Sequence, residues 1–96
     1  MLFVATCTDK PDSMAKRLAN RPAHLAYLAS PGARVKVAGA LLTPDQKTVL
    51  GSLIVYEGES EGDVAALCAK DPYALAGLFA SVDVKPWRQA IGARLA

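Results

Sequence analysis

The sequence has a single histidine, a single tryptophan and two cysteines among its 96 residues, and each scarcity excludes something. Cys7 and Cys68 lie far apart with no CxxC pair and no Cys/His cluster, which argues against a disulfide framework and against a zinc site. They read as buried, reduced side chains. One histidine without an acidic cluster leaves no metal centre to expect. With no P-loop and no dinucleotide glycine fingerprint, no nucleotide cofactor is indicated either. Eleven basic and nine acidic residues give a net charge of +2, scattered rather than gathered into a run, so neither nucleic acid nor an anionic membrane is called for as a partner. No apolar run approaches the roughly 18 residues of a membrane span. The opening stretch "MLFVATCTDK" is too short for a signal-peptide core and has neither basic residues before it nor a cleavage pattern after it, so a cytoplasmic protein is expected.

What is present is apolar material, 52% of the chain, enough for one compact domain over residues 1–96 with residues 88–96 as a C-terminal tail. A domain this small buries only about 60% of the surface its unfolded chain exposes, so a partner would add much to its stability.

Residues 2–8, "LFVATCT", read as a first strand stopped by "DKPD". From Ser13 to Ala29 the apolar positions Met14, Leu18, Leu25 and Leu28 fall at helical spacing, leaving Lys16, Arg17 and Asn20 to face water. Pro22 cannot donate to the Leu18 carbonyl, which predicts a kink or restart near Arg21, and "SPG" at 30–32 ends the helix. Two strands over 34–42 and 48–56 flank the turn "TPDQK" as an antiparallel hairpin. Ser60 with Asp63 resembles a capping arrangement for a second helix running to Lys70. Asp71-Pro72 opens a short helical turn through Gly77, and residues 78–87 form a last strand ending at Pro86. The order is βαββαβ: a ferredoxin-like α+β fold with one antiparallel sheet and both helices on one face.

Both faces of the strands are largely apolar, with Phe3, Ala5 and Cys7 against Leu2 and Val4, and Leu50 and Ile54 against Val49, Leu53 and Val55. A sheet open to water alternates instead. Since two helices cover only one face, the other is expected to pack against a second copy in a homodimer.

His24, in "RPAHLAYL", falls at the border of the apolar stripe, partly dry and still reachable. It reads either as a residue that caps a packing surface or as a general acid or base suited to proton transfer near neutrality. Asp71 is accounted for by helix capping alone, yet side-by-side helices would also bring it to His24, where a carboxylate fixes the imidazole tautomer. Ser52 lacks the surroundings of a nucleophile elbow and offers at most a hydroxyl to a ligand, while Gly51 reads as a bulge or close backbone approach. Tyr73 and Trp87 are pocket-lining or core aromatics, and Arg21 is either an anchor for an anionic substrate or a solvated surface residue.

The segments "RPAHLAYL", "GALL", "GSLIVYE", "DPYALAGLF" and "VDVKPW" come in an order and spacing that resemble the YciI-like (YCII-related) family, from Leu2 to about Trp87. The resemblance implies a ferredoxin-like fold forming a dimeric α/β barrel, and a His–Asp dyad in a cleft. Carried onto this chain, the dyad is His24 and Asp71, with Gly51, Ser52 and Tyr73 as cleft lining. Relatives that look similar eliminate hydrogen chloride from chlorinated aromatic breakdown products.

Two functions compete. One is a small-molecule enzyme of the lyase or isomerase type in which His24 moves a proton and Asp71 orients it. The other is a non-catalytic dimer that binds a small ligand or serves structure alone. An RNA-recognition module shares the element order but needs stacking aromatics where Leu50, Ser52 and Ile54 stand.

Overall fold

The computed structural model describes residues 1–95. β1 (Leu2–Asp9) leads into α1 (Met14–Ala29), and a short 3-10 turn at Pro31–Ala33 turns the chain into the hairpin of β2 (Val35–Leu42) and β3 (Val49–Glu57). α2 (Glu61–Ala69), the one-turn α3 (Pro72–Leu75) and β4 (Phe79–Trp87) complete the fold. The sheet order is β2-β3-β1-β4 and every pairing is antiparallel, the ferredoxin-like arrangement expected from the element order. Pro86 stands on β4, an edge strand, where its missing N–H costs no internal ladder bond. Ala96 lies outside the described residues, and the rest of the tail, from Arg88 to Leu95, carries no helix or strand.

The caps read from the sequence are in place. Ser60 Oγ accepts from the Asp63 N–H at 3.2 Å and Asp71 Oδ1 accepts from the Tyr73 N–H at 2.9 Å, with Pro72 in the first helical position of α3. Gly77 follows α3 with φ +75°, a left-handed conformation glycine takes without a Cβ penalty.

The core lies between the sheet and the helices. Phe3, Ala5 and Cys7 of β1 and Ile54 and Tyr56 of β3 pack against Val64 and Cys68 of α2. By alternation, Leu2, Val4 and Thr6, with Leu53 and Val55 opposite them, face away from the helices. On that face Val37 and Leu53 are exposed, while Leu2 and Val55 are buried.

α1 departs from expectation in two ways. It runs as one helix through Pro22 rather than restarting at Arg21; Leu18 and Pro22 both lie on its exposed side, so water can serve the carbonyl left without its donor. Most of its expected stripe also faces outward. Met14, Leu18 and Leu25 are exposed and Leu28 alone of the four packs against the core, whereas Arg17, expected to face water, and His24 are the buried residues. Hydrophobic periodicity locates the inward face only when that face is packed against apolar neighbours. Here the inward face is polar because it forms one wall of a cleft.

Candidate active site

Local structure brings His24 and Asp71 together. His24 is two turns along α1 from Arg17, on the same face, and Tyr27 Oη donates to the Leu67 carbonyl at 2.7 Å, tying α1 to α2. Asp71 is held at the start of α3 by its own cap and by Pro72. Across this junction His24 Nδ1 lies 2.7 Å from Asp71 Oδ1, with Asp71 only 1% exposed. The same oxygen takes the Tyr73 N–H, while Oδ2 is buried without a hydrogen-bond partner. In the neutral ring, a proton on Nδ1 that bonds to the carboxylate leaves the Nε2 lone pair toward the cleft.

Tyr73 forms the floor under this pair. Its ring stacks on the imidazole at 3.7 Å between centroids and 11° between planes, meets Phe79 edge-on, and lies 4.7 Å beneath the Arg17 guanidinium carbon. Burial pushes the Tyr73 phenol up; Arg17 and Arg21 pull it the other way, but it stays above its ordinary value and therefore protonated.

Beside the dyad lies a second polar constellation that the sequence reading did not anticipate. Arg17 Nε donates to Asp9 Oδ2 at 2.7 Å and Nη2 donates to Asp9 Oδ1 at 3.0 Å, a two-pronged pair in which both side chains are buried. Nη2 also donates to Ser52 Oγ at 2.9 Å. Burial works against the charge on Arg17, and the hydrogen bond and charge of Asp9 outweigh it, raising the guanidinium above its ordinary value. The available signal was spacing: Arg17 precedes His24 by seven residues, so whichever face of α1 carries one carries the other.

These groups surround a cavity of about 180 Å³ between α1 and β2, walled by Arg17, His24, Ser52 and Tyr73, with Ala38 and Ala40 of β2 on the far side. It is smaller than the ~300 Å³ at the low end of drug-sized pockets and suits a compound of about one ring. Arg21 is exposed at its mouth. A larger groove of about 620 Å³ runs past Pro11, Met14, Leu41 and Leu50, but the buried polar groups converge on the smaller one.

Gly51 does not line this cleft. A Cβ there would sit 1.9 Å from the Cys7 carbonyl oxygen, so the glycine serves the close approach of β3 to β1. Trp87 is remote, in a groove with Met1, Leu2 and Arg88. Among the described residues no group of three or more His, Cys, Asp or Glu side chains is placed to hold a metal ion, and no helix is long and apolar enough to cross a membrane.

Known proteins resemble this chain in sequence and in fold. The chain is 38% identical over 96 residues to the protein YciI of Escherichia coli O6:H1, covering 93% of this chain and 98% of that one. Its structure resembles that of 5-chloro-2-hydroxyhydroquinone dehydrochlorinase from Burkholderia phenoliruptrix AC1100, solved in complex with 2,5-dihydroxybenzoquinone, with 37% identity, a TM-score of 0.82 and coverage of 94% and 96% of the two chains. A protein of Agrobacterium tumefaciens shares the fold at 16% identity, with a TM-score of 0.51 over the whole of both chains. The model of the YCII-related domain matches residues 1–88, and the chain belongs to that family.

Proposed function

We propose that the cleft is the active site of a small-molecule enzyme in which His24 transfers a proton through Nε2 and Asp71 sets the tautomer and supports the ring when it is charged. The observation that carries this reading is the 2.7 Å contact of His24 Nδ1 with a carboxylate that is 1% exposed. A proton taken from carbon beside a carbonyl leaves an electron pair that either moves, as in an isomerase, or expels a leaving group, as in a lyase. The likeness to a dehydrochlorinase supports the second course, with the proton taken from a ring hydroxyl. Once a phenolic ring has tautomerised to put a hydrogen on its chlorine-bearing carbon, the hydroxyl gives its proton to His24 and the O–H pair forms a carbonyl. The π electrons shift through the ring, and the carbon–chlorine bond breaks with chloride leaving with its electron pair. Arg21 at the mouth draws in an anionic substrate.

The active form is a homodimer, its sheets face to face. Val37 and Leu53, 47% and 37% exposed on the face away from the helices, support this. Two free, buried cysteines favour a reducing compartment such as the cytoplasm.

The test is chloride release from 5-chloro-2-hydroxyhydroquinone. Loss of a positioned acid or base costs about 10² to 10⁴ in rate, so His24→Ala should fall by that factor with its fold intact. Equal rates in the variant and the wild type would refute the assignment.

A further inference from the structure

Behind the dyad, two buried polar atoms have no hydrogen-bond partner among the described residues. One is Asp71 Oδ2, since Oδ1 takes both the Tyr73 N–H and His24 Nδ1. The other is the hydroxyl of Tyr56, a residue of β3 that is 0% exposed. Neither residue lines the cleft. Cys68 connects them: Tyr56 belongs with it to the core cluster, and its carbonyl accepts from the Asp71 N–H at 3.2 Å. A buried donor and a buried acceptor left unmade are each costly, and two of them around one cysteine call for a common partner.

The two atoms are complementary. Burial, with Cys68 and Asp71 close by, pushes the Tyr56 phenol far above its ordinary value, so its hydroxyl keeps a proton to donate. Burial also raises the Cys68 thiol and the Tyr27 phenol, and the Tyr27 hydroxyl is already committed to the Leu67 carbonyl at 2.7 Å. Neutral groups from β3, α2 and α1 therefore surround the carboxylate, and Tyr56 brings the uncommitted hydroxyl. A single water that accepts from Tyr56 and donates to Oδ2 satisfies both atoms.

We infer that one internal water joins the Tyr56 hydroxyl to Asp71 Oδ2, which makes Tyr56 a positioning residue that acts on His24 through Asp71. The inference rests on the proton-transfer reading of the dyad. A donor on the far oxygen stops the carboxylate from turning and takes up part of its charge. Less of that charge is left to hold a proton on the imidazole, so the ring can give up what it has taken from a substrate.

A high-resolution crystal structure of the wild type should show a water within hydrogen-bond distance of both Tyr56 Oη and Asp71 Oδ2. The Nδ1 proton of His24, unambiguous in a chain with one histidine, reports the consequence by NMR. In Tyr56→Phe the carboxylate loses its second donor and pulls harder on that proton, whose resonance should move to lower field. Tyr27→Phe, which removes a hydroxyl committed elsewhere, should leave it in place. Neither readout needs turnover, so inactivity toward a chlorinated substrate would count against the proton-transfer reading alone. Absence of a water between the two atoms, an unmoved resonance in Tyr56→Phe, or an equal move in Tyr27→Phe would each overturn the inference. Where Tyr56→Phe does not fold, the wild-type crystal structure decides by itself.

Discussion

Asp71 Oδ1 accepts at once from the Tyr73 N–H at 2.9 Å and from His24 Nδ1 at 2.7 Å, so one oxygen both starts a helix and orients an imidazole. In the neutral protein this selects the tautomer with its proton on Nδ1. Nitrogen NMR of the single histidine should show an Nδ1–H and a bare Nε2, and Asp71→Asn, whose amide can donate as well as accept, should mix or reverse the two forms. The same tautomer in both proteins would reduce Asp71 to a helix cap.

The Asp9–Arg17 pair should behave as a unit. Arg17→Met strands a buried carboxylate and is expected to cost about 3 kcal/mol of unfolding free energy, whereas adding Asp9→Asn to it should recover a large part of that loss. Urea titration of the two single variants and the double variant measures the coupling. Additive losses would show that the pair is not coupled.

At Gly51 no side chain fits. The Cys7 carbonyl would meet a new methyl at 1.9 Å, and backbone cannot step aside as a flexible side chain can. Gly51→Ala should therefore destabilise by about 3 kcal/mol or prevent folding. Loss of less than about 1 kcal/mol would contradict the close approach of β1 and β3.

Alkaline pH should weaken the fold. Burial, with the neighbouring Cys68, Asp71 and Asp9, pushes the Cys7 thiol from its ordinary 9.0 up to about 12. The native thiol stays neutral while the unfolded one ionises, so this contribution is full below pH 9.0 and is lost as pH climbs toward about 12. Tyr56, raised chiefly by burial, acts in the same direction. The slope of stability against pH in this window should flatten in Cys7→Ala, leaving the part that belongs to Tyr56, Cys68, Tyr27 and Tyr73, all raised chiefly by burial; an unchanged slope would clear Cys7 of any role.

If the open face of the sheet is the dimer interface, a charge placed on it should divide the dimer. Light scattering should give twice the chain mass for the wild type and the single chain mass for Leu53→Glu, a substitution at a residue outside the cleft lining. A wild-type monomer at micromolar concentration would end the proposal.

The βαββαβ order and sheet topology were legible because strands, caps and turns obey local rules. Ser60 and Asp71 cap the helices they were expected to cap, and "TPDQK" turns the hairpin as read. α1 misled because its inward face carries buried polar residues, Arg17 and His24. Leu18 and Leu25 carry the periodic apolar signal outward, while Arg17 points inward to a partner eight residues back in the chain. No pattern rule assigns a partner to a buried arginine before tertiary structure does. His24 stood out because it is the only imidazole; Asp9, an acid at a strand end, did not.

The cleft has unequal walls. The machinery side, formed by α1 and the start of α3, is locked by the Asp71 contacts, but the facing side is β2, an edge strand whose Ala38 and Ala40 are exposed and hold nothing in place. Bulkier or polar residues at those two positions would reshape the space for a ligand without disturbing the core or the proton-carrying pair. On the proposed reading, changes at Ala38 and Ala40 would alter what the cleft accepts and leave the His24–Asp71 contact as it is.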